Sequence, residues 1–485
     1  MTELSPALAL LIPFVGALGV GMAGRWPNLR ETVTLVTAGV LLVVVASFVP
    51  RVLAGDVPTA SLVEVVPGIE LELEIEPLGM IYALLASFLW IFNSIYSIGY
   101  MRAANETGQT RFYICFCLAI ASVMGIAFSA NLFTLFLFYE VLTFSTFPLV
   151  THKRSPEAVR SGRIYLGILV GTSTLFLLLA VVWTAFLADT VDFAPGGILA
   201  GRASPGLITL LFTLFVLGTG KAAVMPFHFW LPAAMVAPTP VSALLHAVAV
   251  VKAGVFIVLK IAVYVVGLDT IAELGAGRIL SYMAAGTILI GATAAILQDN
   301  LKARLAYSTI SQLSYIVLAA TLGSSVSALG GGMHIVMHGF AKITLFFCAG
   351  AIYVTAKKTK VSELTGIGRV MPLTMAAFTI GALSNVGVPP FGGAWSKWYL
   401  SLGTLDADQV VFLGVYLVAS LLGVAYLIPI PVKAFFCSEK ESLFAGQPVK
   451  EAPIPCLIAL CVTASGCIVL FLRPDMLFQL LEGVS

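Results

Sequence analysis

Long apolar segments with almost no charge recur along the whole of this chain. Of its 485 residues, 59% are hydrophobic and 10% are charged, whereas a soluble domain carries about 25% charged residues. Apolar runs of 18 or more residues have the length of membrane-spanning helices. Because the connections between the runs are short, we predict one all-α polytopic membrane domain.

The apolar segments predict about fourteen transmembrane helices. The predicted spans are 5–23, 31–53, 78–100, 111–130, 131–150, 163–187, 206–230, 240–265, 274–299, 302–321, 326–355, 371–401, 409–436 and 453–473. Between the second and third spans, glutamate alternates with aliphatic residues over 63–77, around Pro67 and Gly68. This alternation predicts an exposed β-hairpin.

The basic residues give the predicted orientation. Most of the 26 lysines and arginines fall in connections after odd-numbered spans, and the other connections hold only Arg51, Arg202, Lys260, Arg278 and Arg473. By the positive-inside rule, the odd connections face the cytoplasm. We therefore expect a multi-pass protein of the plasma or inner membrane with both termini on the extracytoplasmic side.

Ionisable residues also occur inside the predicted spans. They include four lysines, Lys221, Lys252, Lys342 and Lys397, and Glu140 as the single buried glutamate. A charge at the bilayer centre costs about 2.5–3.5 kcal/mol, so such residues face protein or a water-filled interior. Burial penalises a charge and an opposite neighbour restores it. We infer that these groups suit proton transfer better than anchoring.

Histidines accompany these lysines. In the stretch HIVMHGFAK, His334, His338 and Lys342 are spaced at i, i+4 and i+8. This spacing keeps them within about 80° on a helix and makes a polar stripe. His246 and Lys252 are six residues apart, so they need not share a helix face.

Two predicted spans are interrupted by proline. In the seventh, Pro226 follows Lys221, and in the twelfth, Pro389 and Pro390 precede Lys397. Proline removes a backbone donor and breaks the helix. Because freed carbonyls must be satisfied by protein or water, irregular backbone in lipid marks a cavity.

The interrupted spans lie five spans apart, which predicts an internal repeat. We expect two inverted five-helix units, spans 4–8 over 111–265 and spans 9–13 over 274–436, as in many transporters. Spans 1–3 and the hairpin occupy 1–110, and the last span occupies 453–473.

Structural explanations for the same residues remain open. Glu140 could form a salt bridge that joins spans 5 and 7, and Lys221 and Lys397 could bind carbonyls freed by proline. His334 and His338 could be interhelical hydrogen-bonding groups. A metal is not favoured, since no carboxylate or thiolate lies near the histidine pair in sequence.

Nothing in the sequence predicts a cofactor. The seven cysteines form no CxxC pair, as iron–sulfur and zinc sites would require. A net charge of +2 without a basic arm does not indicate a nucleic-acid partner.

Four segments together resemble the antiporter-like family of membrane subunits. They are Glu140 in LFLFYEVLTF, GTGKAAVMPFHFWLPAAMVAPTPVSALLHAVAVVKAG at 218–254, HIVMHGFAK at 334–342 and VGVPPFGGAWSKWYL at 386–400. The family includes subunits of Mrp-type cation/proton antiporters, proton-pumping membrane subunits of respiratory complex I, and membrane-bound hydrogenases. Length and span count resemble the D component of the Mrp-type Na⁺/H⁺ antiporters.

The resemblance implies a row of proton-transfer groups that starts at a carboxylate–lysine coupling pair and ends at one terminal lysine. In chain order these groups are Glu140, Lys221, His246, Lys252, His334, His338 and Lys397, with Lys342 and His228 as additional candidates.

The resemblance also implies the function and the partners. We expect a non-enzymatic transporter subunit that moves H⁺ in exchange for Na⁺ or K⁺, in lipid, beside other membrane subunits that include a second antiporter-like subunit. The alternative is the proton-pumping subunit of a quinone oxidoreductase or membrane-bound hydrogenase, with the redox chemistry in partner subunits.

Overall fold

Apolar helices make up most of the structure. In a computed structural model, which describes residues 5–437, 442–444 and 449–483, eleven helices are long and apolar enough to cross a membrane. They are α1 Ala7–Arg25, α2 Pro27–Leu53, α3 Pro77–Ala103, α4 Gln109–Ala127, α5 Leu132–Val150, α6 Pro156–Ala188, α8 Thr239–Val266, α9 Arg278–Leu297, α11 Ser325–Ala356, α14 Val410–Phe435 and α15 Ile454–Leu472. The predicted all-α polytopic class is confirmed. The count of fourteen spans and the two inverted repeats stay predictions.

Five further helices complete the main architecture. They are α7 Pro205–Gly218, α10 Leu301–Thr321, α12 Pro372–Val386, α13 Gly393–Asp406 and α16 Asp475–Glu482. Of these, α7 and α12 are apolar but shorter than a full span. After each of them the helix is interrupted, at the two places where proline predicts an interruption. We call these interruptions the first and the second break.

Two helices form the centre of the bundle. Helices α8 and α11 are enclosed by protein on all sides, whereas only about a third of the residues of α2, α6, α14 and α15 are buried. A helix that is apolar all round is typical of a bundle core or of a membrane span. The buried lysines and histidines are therefore concentrated on helices that have little contact with lipid.

The predicted hairpin is confirmed. Strands β1 Thr59–Val66 and β2 Ile69–Glu74 pair antiparallel, with Pro67 and Gly68 at the turn and Gly68 at φ +80°. The second strand is tied to the α4–α5 turn, because Glu74 N donates to Phe128 O at 2.6 Å. We call this end of the bundle the hairpin face.

The opposite end of the bundle carries most of the lysines and arginines of the connections. The start of α10 and the loop after α11 meet there, where Leu301 N donates to Thr359 O at 2.8 Å. We call this end the basic face.

The first break starts earlier than its prolines predicted. Helix α7 ends at Gly218, and Lys221 lies in a 3₁₀ turn, Gly220–Ala222, five residues before Pro226. Gly218 packs directly on α6, since an added Cβ would lie 2.3 Å from Leu177 N. Trp230 Nε1 donates to Gly220 O at 3.0 Å, which satisfies a carbonyl freed by the break.

The second break lies where it was predicted. Helix α12 ends at Val386, Gly387 has φ +95°, and α13 starts at Gly393 after Pro389 and Pro390. A Cβ on Gly393 would lie 1.8 Å from Ser384 O, so this glycine allows the two half-helices to pack closely.

Candidate functional site

A lysine and a histidine join the two central helices. Lys252 Nζ on α8 lies 2.7 Å from His338 Nδ1 on α11. The His338 ring stacks on His334 one turn away, with centroids 5.5 Å apart. Lys252 is fully buried and the two histidines nearly so. The predicted histidine stripe therefore continues across to α8.

The stripe continues from His334 to the second break. His334 Nδ1 lies 2.9 Å from Ser396 Oγ on α13, and its ring stacks on Tyr315 at 5.6 Å. Lys397 follows Ser396 in sequence, and its Nζ lies 5.1 Å from the centroid of the Tyr315 ring. Lys252 and Lys397 are thereby linked through side chains in van der Waals or hydrogen-bond contact.

Lys397 ends this row beside a cavity of about 460 Å³ that Pro389 and Trp398 also line. Its Nζ donates to Val386 O at 2.8 Å and to Ser420 Oγ at 3.0 Å. Val386 is the last residue of α12, so Lys397 does bind a carbonyl at the break. The carbonyl-binding explanation and the proton-transfer explanation apply to the same atom.

The imidazoles in this row can transfer protons. His334 Nε2 and His338 Nε2 are buried without a hydrogen-bond partner among the described residues, while each Nδ1 has one. A neutral imidazole can accept a proton on one nitrogen and release it from the other. Buried bases this close together repel when all are charged, so a proton added at one site favours release at the next.

The predicted pair of Glu140 and Lys221 is not closed. Lys221 Nζ instead donates to Tyr139 O at 2.8 Å and to Thr143 Oγ1 at 2.5 Å, and lies 3.1 Å from the Tyr139 ring centroid. Glu140 Oε1 is buried with no hydrogen-bond partner in the described part of the chain. No ion pair between these two residues is present at 4.0 Å or less within that part, so a permanent salt bridge between α5 and the first break is not formed.

Glu140 is also not the single buried glutamate. Its side chain has intermediate exposure, whereas Glu31 and Glu76 are 4% and 6% exposed. Glu31 pairs with Arg102 near the basic face, at the end of α3. That expectation was wrong because it counted only the middle of spans as buried.

Gly254 brings Lys221 against α8. A Cβ added to Gly254 would lie 2.2 Å from Ala222 N and 2.4 Å from Lys221 C. These are backbone atoms, so only glycine permits this approach. The first break therefore packs against α8 at Gly254, two residues after Lys252.

We expect Gly254→Ala to destabilise the subunit, because the added methyl displaces the turn that carries Lys221; overpacking of this kind costs about 1–3 kcal/mol. Thermal melting of the purified complex measures the effect. The matched control is Gly286→Ala on α9, where nothing lies within 4 Å of the added Cβ. Equal melting temperatures for the two variants would contradict the close packing.

Three further candidates lie outside the direct row. His246 is fully buried in a π-helical turn, Leu244–Val248, and its ring packs at a tilt against Phe346 with centroids 4.5 Å apart. Lys342 Nζ donates to Ser308 Oγ at 2.6 Å. His228 is buried beside Phe229, with ring centroids 4.0 Å apart. None of the three makes a hydrogen bond to the row in the described part of the chain.

One buried lysine was missed. Lys260 falls inside the predicted span 240–265 although it is counted above with the connections, and the structure places it fully buried on α8, paired with Glu76 at 3.2 Å. Its Nζ also donates to Ser129 O at 2.8 Å, and Tyr264 donates to Glu76 at 3.1 Å. The apolar run extends on both sides of Lys260 as far as Val266, and this is the signal that excludes it from the charges of a connection.

Comparison with protein families finds one match. A family model described as NADH:quinone oxidoreductase/Mrp antiporter, TM, matches residues 129–423. The matched region runs from the α4–α5 turn into α14 and includes both breaks and the whole row from Lys252 to Lys397.

Curated relatives and solved structures agree with this match. NADH-quinone oxidoreductase subunit N of Desulforudis audaxviator is 30% identical, over 97% of this chain and 96% of its own length. Subunit 5 of the chloroplast NAD(P)H-quinone oxidoreductase of Adiantum capillus-veneris is 33% identical over 68% of this chain, which spans 46% of that relative.

Two solved structures share the fold. A chain of the Mrp complex from Dietzia sp. superimposes with a TM-score of 0.86 at 21% identity, covering 99% of this chain and 96% of that one. A chain of the membrane-bound sulfane sulfur reductase, an archaeal respiratory membrane complex, gives 0.85 at 23% identity, covering 98% and 96%.

Proposed function

This chain belongs to the NADH:quinone oxidoreductase/Mrp antiporter membrane family, and we propose that it is the proton-translocating subunit of a multisubunit membrane complex. The observation that carries the proposal is the row of contacts from Lys252 through His338 and His334 to Lys397. It lies between enclosed helices, where a chain of bases without nearby carboxylates can pass a proton but would be costly to maintain as structure.

In the proposed cycle, Glu140 and Lys221 act as the switch. The open arrangement leaves Glu140 Oε1 without a partner among the described residues and Lys221 Nζ on Tyr139 O and Thr143 Oγ1. An opposite charge nearby favours the charged lysine. Closure of the pair therefore holds a proton on Lys221, and opening releases it toward Lys252 and the relay.

Lys221→Ala tests the switch. We expect proton transport to be lost while the complex still assembles, because the alanine variant keeps the backbone of the break and removes the side chain that carries the amine. Proton uptake by native membrane vesicles, followed with a pH-sensitive dye, measures the rate, and blue-native gels measure assembly. Assembled complex that transports at the parent rate would refute the role of Lys221.

We propose an Mrp-type antiporter in the plasma membrane as the setting, with H⁺ exchanged for Na⁺ or K⁺ and both termini on the extracytoplasmic side. What supports this setting is that the fold matches a chain of an Mrp complex over nearly the whole length. The inner groups on the proton row are amines and imidazoles, whereas hard cations such as Na⁺ and K⁺ prefer oxygen ligands. We therefore place cation binding in another subunit.

A redox-driven complex is the second candidate, and the full-length relative favours it, since that protein is a quinone oxidoreductase subunit. Mass spectrometry of the complex that copurifies from native membranes separates the two settings. Small hydrophobic partners without redox subunits support the antiporter. Copurified iron–sulfur or nickel subunits support the redox-driven pump.

A further inference from the structure

An apolar cavity opens on the outside of the bundle at the second break. It measures about 460 Å³, within the range of about 300–1,000 Å³ that small-molecule sites occupy. Its walls come from the second break, α13, α14 and the end of α15, and they include Pro389, Trp395, Trp398, Leu417 and Phe471. Trp398 and Leu417 are 59% and 57% exposed, so the mouth of the cavity lies on the outer surface of the bundle.

The cavity lies at the level of the hydrocarbon layer. Ser420, one of its lining residues, is near the middle of α14 Val410–Phe435. A helix of 26 residues is about 39 Å long and crosses a hydrocarbon layer of about 30 Å. A residue near the middle of this helix is therefore deep in that layer and far from the lipid headgroups.

Lys397 is the one charged residue among the described residues that line the cavity. Gly387 lets its side chain lie across the second break, because an added Cβ there would be 2.7 Å from Lys397 Cδ. An ammonium group has three N–H donors. Two of them bond to Val386 O and Ser420 Oγ, and the third has no protein acceptor in the described part of the chain.

The neutral polar groups of the wall are already bonded within the protein. Trp395 Nε1 donates to Phe471 O at 3.0 Å, and Ser401 Oγ donates to Lys397 O at 2.8 Å. The Tyr416 hydroxyl donates to a backbone carbonyl of α10 at 3.1 Å. Among the described residues, the cavity therefore presents one unused donor, which is cationic, in an otherwise apolar surface.

A ligand complementary to this surface has one anionic oxygen group at the end of a long apolar body. The anion would accept a charge-assisted hydrogen bond, which is about twice as strong as a neutral one. A cation would be repelled by Lys397, and a polyhydroxylated ligand would leave its hydroxyls unbonded against aromatic walls. The headgroup of a diacyl phospholipid stays at the interface, whereas a fatty acid can bring its carboxyl group into the hydrocarbon layer in the uncharged form.

We propose that this cavity is a regulatory site for a long-chain fatty acid, whose carboxyl group binds Lys397 and whose acyl chain lies against Trp398 and Leu417. The acid enters uncharged and gives its proton to the Lys397 amine, so the bound state is a carboxylate–ammonium pair with no net gain of protons. The pair holds a proton at the end of the row and thereby lowers proton transport. The binding stands on the cavity alone, whereas its effect on transport rests on the proposed function.

Photoaffinity labelling of the complete complex in native membranes tests the site. The probe is palmitic acid with a photoreactive diazirine on its chain, and mass spectrometry locates the labelled peptides. We expect label on α13 and α14 beside the cavity, with competition by palmitate but not by methyl palmitate, which has the same chain and no acid. Lys397→Met should reduce the labelling at least about ten-fold, since the loss of a hydrogen bond to a charged group lowers affinity by about this factor.

A matched pair of variants on α14 makes the result specific. Leu417→Trp fills the cavity and should remove the label. Leu421→Trp is the control, because Leu421 is one turn further along the same exposed helix and is not among the lining residues. Equal labelling of these two variants, or equal competition by palmitate and its methyl ester, overturns the site.

Two other occupants would also be revealed by the labelling. Equal labelling of the cavity by phosphatidylcholine with the same diazirine chain would make it an ordinary lipid-contact surface. A complete complex that takes up no label at this cavity would mean that another subunit covers it. Either result overturns the fatty-acid site.

Proton uptake by the same vesicles measures the effect of binding. Each variant is compared with its own rate without palmitate, because palmitate also carries protons through the lipid in every sample. We expect palmitate to cause a larger loss of uptake in Leu421→Trp than in Leu417→Trp, and equal losses would overturn the regulatory role. Parent rates in a variant of Lys252 would instead overturn the relay and leave the labelling result unaffected.

Discussion

Replacing Lys252 by leucine should lower proton transport by at least about a hundred-fold, the size of a lost acid–base group. Its amine is the one hydrogen-bond contact between α8 and the histidine stripe in the described residues, at 2.7 Å from His338 Nδ1. Leucine fills the same buried space and adds no charge, so the complex should still assemble. Proton uptake by vesicles, normalised to assembled complex, measures the loss.

Arginine at the same position separates proton transfer from structure. Arginine keeps the positive charge and can bond His338, but its guanidinium does not release a proton in proteins. We therefore expect Lys252→Arg to be as inactive as Lys252→Leu. Recovery of transport in the arginine variant would mean that Lys252 only holds α8 and α11 together.

The second large effect is expected from Lys260→Met, and it concerns folding. Removing one partner of a buried ion pair leaves the other charge uncompensated, at a cost of about 3–5 kcal/mol. Glu76 would keep its bonds from Leu78 N and Gly79 N but lose its lysine, and Ser129 O would lose a donor. We expect little folded subunit in the membrane and a clearly lower melting temperature of the remainder.

Lys358→Met is the control for this change. Lys358 pairs with Glu363 at 3.6 Å near the surface, where both side chains are about a third exposed. Exposed pairs contribute little to stability, so this variant should accumulate and melt like the parent. If Lys260→Met behaved like the control, the Glu76 pair would not stabilise the fold.

The periodic features of this chain were predictable because their signals are local. A hairpin needs only alternation and a turn, and Pro67 with Gly68 supplied the turn. Likewise, His334 and His338 on one helix face follow from their spacing alone. The two breaks are predicted from proline, although the packing of Gly218 on α6 ends α7 earlier than Pro226 alone would.

Contacts between distant segments were not predictable in the same way. The Lys260–Glu76 pair joins residues 184 positions apart, and nothing in the local sequence of either residue indicates the other as its partner. Lys252 meets His338 although helical spacing alone left its direction open. The open state of Glu140 and Lys221 depends on Tyr139 and Thr143, whose oxygens compete for the same amine.

The length of α11 has a consequence for how the protein responds to its lipid. This helix has 32 residues and is about 48 Å long, well beyond a hydrocarbon layer of about 30 Å. The exposed helix α15 has 19 residues and is about 28 Å long, which matches that layer. A mismatch between helix length and bilayer thickness therefore acts on the outer helices that contact lipid, whereas α11 is enclosed by protein and has little contact with lipid. Changes in acyl-chain length should alter how the subunit tilts and sorts among membranes far more than they alter the spacing of His334 and His338.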